Sequence, residues 1–156
     1  MHCDFFIEYC EKRNNLIESS NLLKLDKIRS DAFHVLSQLA MRYKLILLTG
    51  RSNKKNLIMQ LKSLGLLKYL NNVICVPHFY TVKDKADVLK NLESCVCYVG
   101  DTDKDILAAN ASDVRSIGIN GGLCNSEKLL SSSPWKTINN LKELLEPKLD
   151  KELNNG

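Results

Sequence analysis

The sequence predicts an α/β fold: a mostly parallel, Rossmann-like sheet with helices on both faces, a three-layer sandwich. Short apolar, β-branched runs recur at residues 44–49, 73–76, 96–99 and 114–119. Segments between them place apolar residues three and four positions apart, which is typical of amphipathic helices. The run 44–49 is almost continuously apolar, as expected for a strand covered on both faces. This alternation indicates βαβ units with right-handed crossovers.

The remaining segments can be assigned in order along the chain. Residues 4–25 have helical spacing broken near Asn14 and Asn15, which predicts two short helices or a helical arm. Ser30 or Asp31 is expected to cap the next helix. Later helices are predicted before Gly65, at 85–93 and at 141–145, followed by a frayed polar tail. We therefore divide the chain into a helical arm or cap remnant (1–29), an α/β core (30–147) and a tail (148–156).

Composition restricts the class of protein. The 156 residues are 44% hydrophobic and 26% charged, with a net charge of +4, which fits one globular domain. The lysines are scattered and no apolar run is long enough to span a bilayer, so we expect neither nucleic acid nor membrane as a partner. The six cysteines contain no Cys-x-x-Cys pair. Buried reduced thiols and a cytoplasmic location are the expectation.

The strongest local pattern follows the run 96–99. Gly100 permits a sharp turn, and Asp101 and Asp105 lie four residues apart at the start of an Ala-rich helix. Carboxylates beyond the carboxyl end of a strand lie where open α/β sheets bind ligands, and Mg²⁺ prefers oxygen ligands. The pattern predicts a magnesium site. The alternative is that Asp101 or Thr102 only caps the helix.

Other polar residues are predicted at the same edge of the sheet. Thr49 and Gly50 end the strand 44–49, and Lys83 and Lys85 precede the strand 96–99. A hydroxyl, an exposed backbone N–H, a lysine and a carboxylate pair together suit phosphate chemistry.

Three segments carry a family resemblance. Residues 47–51, Leu-Leu-Thr-Gly-Arg, resemble the second motif of the haloacid dehalogenase-like (HAD) hydrolase superfamily. Lys85, which opens the predicted helix 85–92, resembles the lysine of the third motif, with Lys83 as an alternative. Residues 99–105, Val-Gly-Asp-Thr-Asp-Lys-Asp, are similar to the fourth motif, Gly-Asp-x-x-x-Asp. The resemblance covers about residues 30–146.

The resemblance implies roles for these residues. Asp101 would bind Mg²⁺, and Asp105 would bind it or orient a water on it. Thr49 and the Gly50 N–H would hold the phosphoryl oxygens, and Lys85 would neutralise them. Arg51 and Asn120 are further candidates for contact with substrate. The alternatives are a solvated arginine and a turn asparagine.

One motif of the family is missing. Its first motif, Asp-x-Asp, follows a central strand and supplies the nucleophile, but residues 1–45 contain no Asp-x-Asp. Asp4 has no preceding strand and is not assigned this role. Three hypotheses follow: the strand and motif lie upstream of an internal Met1; the first segment substitutes for the strand; or the flanking strands close up. We favour the first, in which the chain is truncated.

Two functions are therefore expected. The first is a Mg²⁺-dependent phosphatase of a small phosphorylated molecule, inactive or impaired in this chain because the nucleophile is absent. The second is a non-catalytic HAD-fold binding or scaffold protein. A nucleotide-binding or response-regulator-like domain is less consistent with the sequence, because no Gly-rich loop follows a first strand. An unpaired central position in the sheet would also favour a homodimer.

Overall fold

The computed structural model describes residues 2–76 and 81–154. Strands and helices alternate through most of this chain, as the sequence predicts. The eight helices in the described ranges are α1 (His2–Ile17), α2 (Ser20–Leu23), α3 (Ala32–Ala40), α4 (Lys54–Ser63), α5 (Thr81–Lys90), α6 (Asp103–Asn110), α7 (Ser126–Ser131) and α8 (Pro147–Asn154). The five strands there are β1 (Ile46–Thr49), β2 (Asn72–Cys75), β3 (Tyr98–Gly100), β4 (Ser116–Ile119) and β5 (Lys136–Ile138). Two short 3₁₀ turns, Leu67–Tyr69 and Leu141–Leu145, complete the set in those ranges.

All strand pairs of the described chain are parallel, which confirms the predicted α/β class. They form two sheets, however. One contains β1 and β2, and the other has the order β3-β4-β5. In the first sheet Leu48 lies opposite Ile74, and in the second Val99 lies opposite Ile117. The strands β1 and β3 do not pair with each other in the described structure.

Helices hold the two sheets together. One apolar cluster contains Leu48 of β1, Ala86 and Leu89 of α5, and Ala108 of α6, with Tyr98 of β3 packed against it. A second cluster joins α3 and α8 to the second sheet, and a third packs α4 on the first sheet. Burial of these side chains is the main favourable contribution to folding. The result is a layered core in which β4 is buried along its whole length.

Several boundaries differ from the sequence prediction. The helix α1 continues through Asn14 and Asn15, and the break follows Ile17. Asp31 is the N-cap residue of α3, but its side chain accepts the backbone N–H of Leu141 (2.9 Å) instead of capping the helix. The helix that carries Lys85 begins at Thr81, so Lys85 lies inside it and the prediction that it opens the helix was wrong.

The carboxyl-terminal region also differs. The segment 148–156, predicted to be a frayed tail, lies mostly in α8, where the side chain of Leu149 is only 1% exposed. The sequence analysis did not predict α7 or β5. The helix α8 packs on the core through Leu149 and, one turn later, through the partly buried Leu153, and most of its other residues are polar. None of the helices in the described ranges is both long and apolar enough to cross a membrane.

Four cysteines in the described structure are free thiols and half-buried: Cys75, Cys95, Cys97 and Cys124. Burial raises the pKa of the Cys97 thiol to about 11, and burial likewise raises the pKa of Cys95. Raised pKa values keep these two thiols protonated near neutral pH, which makes them poor nucleophiles. Both are consistent with a role as small apolar side chains.

Candidate active site

A cavity of about 450 Å³ lies at the carboxyl ends of β1 and β3. One wall comes from the arm formed by α1, α2 and the following turn, through Asn14, Ile17, Glu18 and Asp26. The core contributes Thr49, Gly50, Arg51, Lys85, Thr102, Lys104 and Leu123. A second cavity of about 490 Å³, between Arg29, Asp31 and Lys142, contains none of the predicted site residues. The first cavity is therefore the candidate site.

Thr49 is the last residue of β1 and places its side chain at the cavity. Its Oγ1 accepts the backbone N–H of Arg51 (3.3 Å), which bends the chain sharply after the strand. The Arg51 guanidinium donates to Gln60 (2.9 Å) and to Asp26 (3.0 Å), so it is bound to the arm. Hydrogen bonding by Gln60, and then by Arg51, lowers the pKa of Asp26 against the opposing effect of burial.

Lys85 is held by a buried ion pair. Its Nζ lies 2.6 Å from Oδ1 of Asp105, with the two side chains 11% and 7% exposed. The same oxygen accepts the hydroxyl of Tyr98 (3.0 Å). The other oxygen accepts the N–H (3.2 Å) and the hydroxyl (2.7 Å) of Thr102. Asp105 thus binds four donors and presents Lys85 to the cavity.

The electrostatics of this cluster follow from its burial. Burial alone would raise the pKa of Asp105, but the Lys85 ammonium and the hydrogen bonds from Lys85, Thr102 and Tyr98 hold it below its usual range. Burial, and then the charge of Asp105, raises the pKa of Tyr98. Tyr98 therefore stays protonated and Asp105 stays ionised near neutral pH.

Asp101 lies beside the cavity and is oriented by the chain that follows β4. Its Oδ2 accepts the backbone N–H of Leu123 (2.9 Å), and both neighbours, Thr102 and Leu123, line the cavity. A Cβ at Gly122 would lie 2.2 Å from Asp101 Oδ2, so only glycine permits this approach. The second carboxylate oxygen of Asp101 accepts no hydrogen bond from the described residues.

Gly100 permits the close approach of Asp105 in the same way that Gly122 permits that of Asp101. A Cβ at Gly100 would lie 2.2 Å from the Cβ of Asp105, far inside van der Waals contact. The turn from β3 into α6 is closed by a reciprocal capping box between Thr102 and Asp105. The Gly-Asp-x-x-x-Asp pattern therefore contains one capping acid, Asp105, and one acid beside the cavity, Asp101.

Comparison with known proteins identifies the family. The model of the family described as haloacid dehalogenase-like hydrolase matches residues 4–119, about three quarters of the chain. The chain belongs to this family. No protein of curated function matches the sequence significantly. Sequence reasoning had reached the same family from residues 47–51, Lys85 and residues 99–105.

Solved structures with a similar fold include two HAD-type hydrolases and a predicted phosphatase, each from a different bacterium. A haloacid dehalogenase-like family hydrolase from Streptococcus pneumoniae has a TM-score of 0.66 at 17% identity, covering 76% of this chain and 59% of its own. A protein from Clostridium acetobutylicum described as a predicted phosphatase has a TM-score of 0.66 at 21% identity, covering 80% and 61%. A HAD-superfamily hydrolase of subfamily IA from Geobacter sulfurreducens has a TM-score of 0.62 at 20% identity, covering 81% and 63%. This HAD chain thus spans about six-tenths of the length of these structures.

Other predicted residues occupy different positions in this HAD core. Lys83 is exposed on α5, away from the described lining of the cavity. Asn120 follows β4 and donates from its Nδ2 to Asn139 (2.9 Å), so it contacts the end of β5. The side chain of Asp4 lies outside the part that the structure describes. In that part no group of three or more His, Cys, Asp or Glu side chains is arranged to hold a metal.

Sequence reasoning missed the contribution of the arm. The Glu18 carboxylate is 6% exposed and accepts the backbone N–H groups of Ser52 (2.9 Å) and Asn53 (2.6 Å), immediately before α4. Asn56 and Gln60 of α4 donate to the backbone carbonyls of Glu18 (2.9 Å) and Leu23 (3.0 Å). The only available signal was the polar stripe at residues 53, 56 and 60, whose spacing puts it on one face of a helix.

Proposed function

We propose that this protein is the core of a HAD-type phosphohydrolase acting on a small phosphorylated molecule with Mg²⁺. The observation that supports the proposal is that Thr49, Gly50 and Lys85, three residues distant in sequence, line one cavity at the carboxyl ends of the strands. A hydroxyl and a backbone N–H can donate to phosphoryl oxygens, and a lysine neutralises their charge.

In this proposal Lys85 acts as a fixed positive charge. Asp105 holds its ammonium in place, and the Tyr98 hydroxyl donates to the same carboxylate oxygen, so little reorganisation is needed when an anion enters. Thr49 would orient one phosphoryl oxygen. Before substrate binds, Arg51 would link the arm to the site through its hydrogen bonds with Asp26 and Gln60.

The proposed cation has one suitable ligand among the described residues. Mg²⁺ in phosphate sites is often bound through one or two carboxylates, with waters and substrate oxygens as the other ligands. Asp101 fits this role through its second oxygen, whereas both oxygens of Asp105 are occupied by protein donors. When bound, the ion would offset charge on the phosphoryl group. Asp105 would then act by positioning Lys85.

The family resemblance implies that a carboxylate from the first motif acts as the nucleophile, forming a covalent intermediate with the phosphoryl group. The carboxylates lining the cavity, Glu18 and Asp26, are bound to backbone N–H groups and to Arg51 and Gln60. We therefore expect little turnover from these residues alone. This observation also favours a second candidate function, a non-catalytic module that binds phosphorylated ligands.

Calorimetry with inorganic phosphate and Mg²⁺ tests the site in the chain as it exists. We expect saturable binding that Lys85→Met and Thr49→Val weaken by about tenfold or more, since each loses a charge-assisted or hydroxyl contact. The matched control Lys83→Met should bind like the wild type. If Lys85→Met does not fold, Thr49→Val still tests the site assignment. Equal binding by all folded variants would contradict the site assignment.

A turnover assay separates the two candidate functions. An aryl phosphate is offered to the chain and to the chain extended at its amino end by an apolar strand carrying Asp-x-Asp. Mg²⁺-dependent turnover in the extended form, lost in Lys85→Met, supports the phosphohydrolase. Phosphate binding without turnover in either form supports the non-catalytic module.

A further inference from the structure

Three positively charged residues line the candidate site, and two of them are paired with carboxylates of the chain. The lining contains Arg51, Lys85 and Lys104. The ammonium of Lys85 lies 2.6 Å from Asp105, and the guanidinium of Arg51 lies 3.0 Å from Asp26. The charges of Lys85 and Arg51 are therefore compensated within the protein before any ligand enters the cavity.

Lys104 carries the third positive charge and differs from the other two residues. It is exposed and lies in the first turn of α6, whose start is fixed by the capping box between Thr102 and Asp105. Its ammonium makes no ion pair or hydrogen bond within residues 2–76 and 81–154. The adjacent carboxylate, Asp103, pairs instead with Lys128 of α7 at 3.0 Å. The positive charge of Lys104 is therefore available to a ligand.

The carboxylates in the lining of the cavity are in the opposite situation. Glu18 accepts two backbone N–H groups at the start of α4. Asp26 accepts the side-chain amide of Gln60 (2.7 Å) and the guanidinium of Arg51 (3.0 Å). Both carboxylates are thus bound by donors of the chain, so an ammonium group on a ligand would have to compete with these donors. The charge balance of the cavity favours a ligand with an additional negative charge over one with a positive charge.

The size of the cavity leaves room for more than a phosphate. Its volume is about 450 Å³, and a water molecule takes up about 30 Å³ in the liquid, so a group of five heavy atoms leaves most of the space free. The exposed apolar side chains of Ile17 and Leu123 also line the cavity. They are suited to contact a short carbon chain between a phosphate and a second charged group.

We propose that Lys104 determines specificity by binding a second anionic group of the substrate, so that the site selects short phosphate esters that carry a carboxylate or a second phosphate. This inference rests on the proposed function, which places the first phosphate at Thr49, Gly50 and Lys85. A lysine is a flexible point charge that can bind either kind of anion. Because Lys104 is exposed, its attraction for the second anion decreases as the salt concentration rises.

Calorimetry with a series of phosphate esters and Mg²⁺ tests the role of Lys104. The esters have similar length and end in a methyl group (propyl phosphate), a carboxylate (2-carboxyethyl phosphate), a second phosphate (1,3-propanediol bisphosphate) or an ammonium (3-aminopropyl phosphate). We expect the two anionic esters to bind about fivefold more tightly than propyl phosphate at low ionic strength, and the ammonium ester to bind no more tightly. Comparison of the two anionic esters shows which anion is preferred. A second series, two carbons longer, tests a larger separation between the charges.

Substitutions of lysine make the test specific. Lys104→Met keeps an unbranched, helix-favouring side chain but removes the charge, so the preference for the anionic esters should fall below about twofold. Lys104→Arg keeps the charge and should retain the preference. The matched control Lys83→Met removes an exposed lysine of α5 that is outside the described lining, and its preference should equal that of the wild type. In the wild type the preference should also shrink at 1 M salt, where the Debye length is about 3 Å.

Two outcomes would overturn the proposal while leaving the phosphate site in place. The first is equal affinity for propyl phosphate and for the anionic esters of both series. The second is a preference that Lys104→Met retains, since another group would then bind the second anion. Failure of the proposed function is distinguishable from both. In that case propyl phosphate itself would not bind, or Lys85→Met would bind it as tightly as the wild type, and the role of Lys104 would be refuted with it.

Discussion

Asp105→Asn tests the buried ion pair on which the candidate site depends. The substitution keeps the size of the side chain but removes the charge that lies 2.6 Å from Lys85. Removing one partner of a buried pair typically costs about 3–5 kcal/mol because the other charge stays buried and uncompensated. For a chain of this size, about 2–4 °C is lost per kcal/mol, so the melting temperature should fall by about 6–20 °C.

The matched control is Asp103→Asn. Asp103 pairs with Lys128 at 3.0 Å, but that lysine is 61% exposed. Exposed pairs contribute about 0–1 kcal/mol, so this variant should melt within a few degrees of the wild type. Both variants are measured by thermal and urea unfolding with circular dichroism.

The pH dependence of the stability difference between the wild type and Asp105→Asn tests whether that difference is electrostatic. The pKa of Asp105 is lowered in the folded protein, so its stabilising effect is present above the unfolded value of about 3.9 and is lost as pH falls further. The free energies of unfolding of the wild type and Asp105→Asn should therefore show their full difference at pH 6. This difference should shrink as the pH falls below about 4. A difference under about 1 kcal/mol at pH 6, or one that persists unchanged at pH 3, would refute the reasoning.

Two further substitutions test other parts of the structure. Leu149→Ala should destabilise the protein by about 2–5 kcal/mol in urea unfolding, because this side chain of α8 is 1% exposed. Leu130 is exposed, so Leu130→Ala should change stability by less than about 0.5 kcal/mol. Equal destabilisation by Leu149→Ala and Leu130→Ala would mean that α8 does not pack on the core. Glu18→Gln should cost about 1–3 kcal/mol and accelerate amide exchange at Ser52 and Asn53, because their N–H groups donate to this carboxylate. Glu8→Gln, which affects only an exposed pair with Lys12, is its control, and unchanged exchange at Ser52 would show that Glu18 does not hold the arm.

The sequence predicted the order of most strands and helices because apolar spacing is a local property. The four strands with strong apolar runs were all found, with ends that differ by at most two residues. The strand β5 and the helix α8 were missed because both are short and each carries one fully buried residue, Ile138 and Leu149 respectively, with Leu153 of α8 only partly buried. So few apolar positions leave only a weak periodic pattern in the sequence.

For the candidate site, the residues at the carboxyl ends of the strands could be predicted from the sequence, but their hydrogen-bond partners could not. Thr49, Gly50 and Lys85 line one cavity, and Asp101 lies beside it. The sequence analysis expected Asp105 to bind the cation or to orient a water on it, and its capping alternative named Asp101 or Thr102. The structure pairs it with Lys85, Tyr98 and Thr102. The pair with Lys85 depends on α5 packing against α6.

By itself the sequence determined the α/β class, the HAD family and the strand ends that carry polar residues, since all of these follow from local spacing and short motifs. Only the tertiary structure decided that Lys85 pairs with Asp105, that Glu18 fastens the arm to α4, and that both Asp105 oxygens are occupied. These features depend on contacts between segments far apart in the chain. Such contacts are determined by packing and by hydrogen bonding of backbone groups, and no local sequence pattern predicts them.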